Sequence, residues 1–144
     1  MMVRLLITGG RSFNDKDTIR KWIKNVEATI GPIEVIIHGA NPRGADKLAD
    51  ELADELGIPK LRFPADWDEH GKAAGPIRNQ RMIDEGRPTY VLAFPDPKSR
   101  GTWDMVKKAH TAGLKGKVVA KHGLRLEGGT EHRIINGVLQ LTLS

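Results

Sequence analysis

The chain predicts an α/β protein: a mostly parallel sheet with helices on both faces, plus a small C-terminal antiparallel β meander. Three observations predict it. β-branched apolar runs alternate with segments whose apolar residues recur at the helical period. The handovers from strand to helix are short and carry glycine, at Thr8-Gly9-Gly10-Arg11, His38–Gly44 and Pro95–Thr102. The end of the chain changes grammar, to short alternating runs separated by Gly128-Gly129 and Asn136-Gly137. Asn-Gly between such runs is the strongest two-residue hairpin signal.

Each element follows in order. Val3–Thr8 is a short apolar strand, broken by Gly9-Gly10-Arg11-Ser12. Asp15 or Asp17 can cap the next helix, whose apolar positions Ile19, Trp22, Ile23, Val26 and Ile30 keep the helical period until Gly31-Pro32 stops it. Val35–Ile37 reads as a strand buried on both faces, because β-branched side chains crowd a helix but fit a pleated surface. The second helix carries one apolar stripe, Ala45, Leu48, Ala49, Leu52, Ala53 and Leu56, and Gly57 ends it. Pro59–Phe63 gives a third strand. Ala65–Gly75 reads as irregular and polar, with Gly75 capping a helix whose first position is Pro76. Thr89–Phe94 is the fourth strand, Gly101-Thr102 opens a helix running to about Gly113, and Lys117–Ala120 is the fifth strand. Leu124–Glu127, Glu131–Ile135 and Val138–Leu143 make the meander. No internal repeat or linker divides the chain, so residues 1–121 form the body and 122–144 an appendage of the same domain.

Right-handed crossovers and the commonest strand order make the first and fourth strands neighbours, and ligands bind at the C-terminal ends of such a pair. Gly9–Ser12 and Pro95–Thr102 then face each other across one crevice, with Gly39–Gly44 beside it. Glycines at these handovers open backbone N–H groups to an anion and let it approach the main chain. A helix opening with Gly101-Thr102 adds its dipole. Arg11, Ser12, Arg43 and Thr102 supply side chains, and Arg78, in the first turn of its helix, can fork onto a phosphate or carboxylate.

Composition narrows the classes. The 144 residues are 39% hydrophobic and include no cysteine, which excludes thiolate catalysis, disulfides and Cys-based zinc sites. No apolar run approaches the ~20 residues of a membrane span, and the N-terminus lacks a signal-peptide pattern. A cytoplasmic protein with no membrane partner is expected. A net charge of +5 points to an anionic partner. With 5% aromatic residues and no basic–aromatic stripe, nucleic acid is the weaker choice. The loops match neither a P-loop nor Gly-x-Gly-x-x-Gly, which argues against ATP hydrolysis and ordinary NAD(P) dehydrogenase chemistry. Asp66-x-Asp68-x-His70 in an extended segment would put three ligating types on one side, but no fourth ligand is evident and no metal site is assigned. Asp66 is read instead as an acceptor for ribose hydroxyls or a base edge. Asp46 and Asp104 read as first-turn acids that complement helix dipoles.

The motifs ITGGRSF (7–13), HGANPRGAD (38–46), FPADW (63–67), GKAAGPIRNQRM (71–82) and RGT (100–102) together resemble the YspA-like branch of the SLOG superfamily. That superfamily includes the "lonely guy" phosphoribohydrolases and relatives of the DNA-processing protein DprA. The resemblance spans about Val3–Ala120 and implies a Rossmann-like fold with a pocket for a nucleotide or nucleotide-derived phosphate ligand, in a sensing or sequestering role. It assigns ligand contacts to Gly9, Gly10, Arg11, Ser12, Gly39, Arg43, Gly44, Asp66, Arg78, Asn79, Gly101 and Thr102. A divalent cation accompanying the phosphates is the one cofactor it leaves open.

The enzymatic branch is matched in part. Arg78-x-x-x-Met82 is similar to the segment that carries the catalytic arginine of the phosphoribohydrolases. Their Pro-Gly-Gly-x-Gly-Thr-x-x-Glu motif is not intact: Met105 stands where the glutamate would fall, and Asp104 is one residue away, about 100° around the helix. The alternative reading is a phosphoribohydrolase cleaving the N-glycosidic bond of a nucleoside monophosphate, with Arg78 and a substitute carboxylate from Asp66 or Asp104. A nucleic-acid-binding module is the second alternative. Related enzymes pair through helical faces, and Leu139, Leu141 and Leu143 alternate on one face of the last run, so a homodimer is expected.

Overall fold

The computed structural model describes the backbone of residues 2–121, 131–135 and 138–143, and the side chains of residues 2–120. Its elements are β1 (Val3–Gly9), α1 (Lys16–Thr29), β2 (Ile33–His38), α2 (Ala45–Leu56), β3 (Lys60–Arg62), α3 (Trp67–His70), α4 (Ala74–Asp84), β4 (Tyr90–Phe94), α5 (Arg100–Thr111), β5 (Lys115–Lys121), β6 (Glu131–Ile135) and β7 (Val138–Leu143). The sheet order is β3-β2-β1-β4-β5-β7-β6. The first five strands are parallel, with Leu6 in register with Ile37 on one side and Val91 on the other. This is the Rossmann-like arrangement the alternation predicts, and it makes β1 and β4 neighbours.

Period-two alternation sends the strands' side chains into two cores. Leu5, Ile7, Ile36, Leu92 and Phe94 pack with Ile19, Ile23 and Val26 of α1 and Ala49 and Leu52 of α2. Leu6, Ile37, Val91, Ala93 and Val118 pack with Met82 of α4 and Met105, Val106 and Ala109 of α5. Helices therefore cover both faces. Asp15, not Asp17, caps α1, accepting from the Thr18 amide at 3.1 Å. Ile30 falls just past the end of α1 and is exposed, so it does not extend the apolar stripe. Gly57 adopts a left-handed conformation at φ 68°, and it and Ile58 return amides to the last turn of α2.

The 65–75 stretch departs from expectation. It is helical: α3 runs Trp67–His70, a 3-10 turn covers Gly71–Ala73, and α4 starts at Ala74. Gly75 is consequently a buried residue inside α4 instead of its cap, and Pro76 stands third, where a missing N–H still costs nothing. In a helical turn Asp66, Asp68 and His70 no longer share a side, since two residues rotate a side chain by roughly 200°.

At the far side of the sheet β7 pairs antiparallel with β5 and with β6. Residues 122–130 and 136–137 lie outside the described residues, and with them the first run of the expected meander and its Asn-Gly turn. The side chains of Leu139, Leu141 and Leu143, on which the expected dimer contact rests, also lie outside them.

Candidate functional site

The C-terminal ends of β1 and β4 open into a crevice of about 600 Å³, lined by the β1, β2 and β4 loops, Trp67 of α3 and the N-terminal parts of α4 and α5. Because α4 begins at Ala74, Arg78 stands in its second turn rather than its first, and Asp104 likewise falls past the first turn of α5. Of the ligand contacts expected from sequence, Gly9, Gly10, Arg11, Ser12, Gly39, Arg78, Asn79, Gly101 and Thr102 line it. Arg43 and Asp66 do not: both are exposed outside it, and Asp66 caps α3 by accepting from the Glu69 amide at 3.0 Å. Gly44 also lies outside the lining and has a structural task, described next.

The β1–β2 wall is closed by the chain's own atoms. Asp96, at the end of β4, is the hub. It accepts from the Ser12 amide and hydroxyl at 3.0 and 2.7 Å, from the Lys98 amide at 2.9 Å and from the Ser99 hydroxyl at 2.8 Å. Burial pushes its carboxyl up, but these donors outweigh burial and hold it below the ordinary aspartate value. A side chain on Gly10 would collide with that carboxylate and, at 2.7 Å, with the Ser99 hydroxyl. Gly44 sits at φ 77°, ψ −149°, a region open almost only to glycine, against the Gly10 carbonyl and the Arg11 backbone. The Ala45 amide donates to the same Gly10 carbonyl at 3.1 Å. These glycines thus leave a neighbouring loop room to approach.

Arg78 reaches across from α4. It donates through Nη1 to the Gly39 carbonyl and to the Phe63 carbonyl at 3.4 Å, and through Nε to the Asn79 side chain at 3.0 Å. A Cβ on Gly39 would stand 2.5 Å from Nη1, so this glycine makes room for the guanidinium. Burial lowers the Arg78 pKa, opposed by the charges of Asp46 and Asp104. Asp46 is itself buried and accepts from the Asn41 amide at 3.2 Å; burial raises its pKa despite that bond and the nearby His38 and Arg78. Asp104 accepts from Asn79 at 3.0 Å and Lys108 at 2.7 Å.

The α5 wall is different. Gly101 has open space where a side chain would be. Thr102 is buried, yet its Oγ1 has no hydrogen-bond partner among the described residues. Ser99, at the N-cap position, gives its hydroxyl to Asp96 and leaves the helix start without a side-chain cap. Lys72, Lys98 and Arg100 also line the crevice, and no salt bridge among the described residues involves them, Arg11 or Arg78. A second charged cluster beside it is fully paired. Asp50 accepts from Arg62 at 2.7 Å, Lys60 at 2.9 Å and the buried His38 Nε2 at 2.8 Å. Because His38 Nδ1 accepts the Ala40 amide at 3.0 Å, the ring proton is on Nε2 and the ring fixes the loop.

Sequence reasoning missed Asp46, Trp67 and Lys72 as lining residues, and gave no role to Asp96, Lys98 and Arg100 within the Pro95–Thr102 loop it placed at the crevice. A first-turn aspartate and a loop lysine carry no local signal that tells crevice from solvent. Among the described residues no group of three or more His, Asp or Glu side chains is placed to hold a metal ion, and no helix is long and apolar enough to cross a membrane.

Two comparisons bear on this arrangement. The family model described as the YspA, cpYpsA-related SLOG family matches residues 3–70. The Gene 61 protein of Mycobacterium phage D29 is 34% identical over 118 residues, covering 78% of this chain and 93% of that protein.

Proposed function

The chain belongs to the YspA, cpYpsA-related SLOG family, and from that premise we propose that its crevice binds a nucleotide or nucleotide-derived phosphate ligand, in a sensing or sequestering role. The observation that carries the reading is the unpartnered Thr102 Oγ1, buried in the first turn of α5 and lining the crevice. A phosphate there would accept the free first-turn amides, with the helix dipole in its favour, and the hydroxyl once the Thr102 side chain turns toward the crevice. Arg78 is held in place by two backbone carbonyls and retains N–H groups for the ligand. Arg11, Lys98 and Arg100 supply further positive charge.

Titration of a nucleoside monophosphate into wild type and Thr102→Val tests the reading. A charge-assisted hydrogen bond contributes about 1.5–3 kcal/mol, so the variant binds about tenfold more weakly or worse. Equal affinity would remove the phosphate seat. Mass spectrometry of small molecules co-purifying with wild type, absent from Arg78→Ala, identifies the ligand.

The presence of Asp104 and Arg78 in one crevice favours a second reading, hydrolysis of the N-glycosidic bond. Asp66, outside the lining and engaged as a cap, leaves that role to Asp104. Asp104 is tied to Lys108 and Asn79, and Met105 replaces the family enzymes' glutamate, so base release from nucleoside monophosphates should be slow. Rapid release that vanishes in Arg78→Ala would reverse the ranking.

A further inference from the structure

We propose that Trp67 is the stacking platform for the ligand's base, which makes the ligand class nucleoside phosphates rather than base-free sugar phosphates. The inference rests on the phosphate seat proposed above.

The chain has three tryptophans, and two of them pack against the cores: Trp22 against one and Trp103 against the other. Trp67 belongs to neither and is 48% exposed. Its ring is nevertheless positioned. Trp67 opens α3 directly after the capping Asp66, and its Cη2 lies 3.5 Å from where a Cβ on Gly75 would be, against the start of α4. It lines the same crevice as Thr102 and Arg78. An indole of this size left half in water forfeits burial that any flat apolar partner would restore.

One face of the ring is already used in a way that identifies such a partner. The Arg11 guanidinium, itself planar and cationic, stands over it at 5.7 Å from the centroid. Flat π-systems take the same position on an indole, and every nucleobase presents one. Arg11 also lines the crevice. A base settling on the Trp67 face displaces the guanidinium and releases it toward the phosphate. Trp67 and Arg11 therefore act in sequence: the pair keeps the ring covered without ligand, and the exchange couples base recognition to phosphate recognition.

The test compares adenosine 5′-monophosphate and cytidine 5′-monophosphate with ribose 5-phosphate, each titrated into wild type, Trp67→Ala and Trp67→Phe. Base–aromatic stacking predicts that wild type favours at least one nucleotide over ribose 5-phosphate on the order of tenfold. Trp67→Ala loses that preference, and Trp67→Phe recovers most of it. Equal binding of all three probes by wild type, or a preference that survives in Trp67→Ala, overturns the platform and leaves the phosphate seat standing. Failure of wild type to bind any of the three removes the phosphate seat and the platform together.

Discussion

The two walls of the crevice use their polar groups in opposite ways. On the β1–β2 wall the glycines that look made for a ligand are already taken up by the chain itself: Gly10 faces Asp96, Gly39 faces Arg78, and Gly44 faces the Gly10 carbonyl. On the α5 wall Gly101 faces open space and the buried Thr102 hydroxyl has no partner among the described residues. The first wall is a clasp between loops, and the second is left for something else. Disturbing the clasp should lower stability, and disturbing the open wall should lower affinity alone.

The largest expected effect is at Gly44. Alanine there adds a strained backbone and a collision with main-chain atoms that cannot rotate away, so Gly44→Ala should cost about 3 kcal/mol or more in chemical denaturation. A loss below about 1 kcal/mol would show that the loops are not clasped. Asp96→Asn comes next. It removes acceptors from the Ser12 and Ser99 contacts, at about 1 kcal/mol near neutral pH after allowance for partial solvent exposure. The folded Asp96 pKa lies below its unfolded value. Its contribution is therefore complete above about pH 4 and disappears as pH falls through the folded value. Wild type should lose stability in acid, and the variant should show a shallower fall.

How much of this was legible in the sequence follows from the range over which each feature is determined. The strands and helices are legible from periodicity, which is local, and the pairing of the first with the fourth strand from the commonest topology of such alternation. Thr102 is legible because a helix start announces where its first turn points; Arg78 reaches the same crevice from the second turn of α4, which begins two residues before Pro76. The glycines at 10, 39 and 44 were located but not understood. What stands over Gly10 is Asp96 and what stands over Gly39 is Arg78, each far along the chain, and no local pattern names such a neighbour. The stretch around Asp66 is helical where an extended segment is expected, because a polar stretch with alternating acids reads equally as either; Asp66 caps the turn by accepting from the Glu69 amide. Trp67 was passed over because one tryptophan in sequence does not say whether it is buried.

Two smaller effects sharpen the contrast between the walls. Lys98→Ala and Arg100→Ala, on the open side, should leave the unfolding midpoint unchanged within error. Each should weaken binding of a nucleoside monophosphate about two- to fivefold, more at low salt than at high salt. A drop in stability with unchanged affinity would place these cations in the clasp instead. The smallest effect is at Ala40, a non-glycine residue at φ 58° in the loop after β2. Glycine there relieves left-handed strain but loosens the unfolded chain, and the two nearly cancel. Ala40→Gly should stabilise by about 0.5 kcal/mol in thermal unfolding and leave affinity alone.

The short β3 has a consequence for the protein in company. It is one border of the sheet, and a border offers unpaired amides and carbonyls to any other extended chain. Here that border is only three residues long, and two of them, Lys60 and Arg62, carry charge fastened to Asp50. A strand from a neighbouring molecule would meet a brief and highly hydrated ledge, with too few rungs to hold it. An edge so built is a poor template for fibrous accretion, and the Asp50 that fastens its charges also holds the His38 ring at the start of the β2 loop.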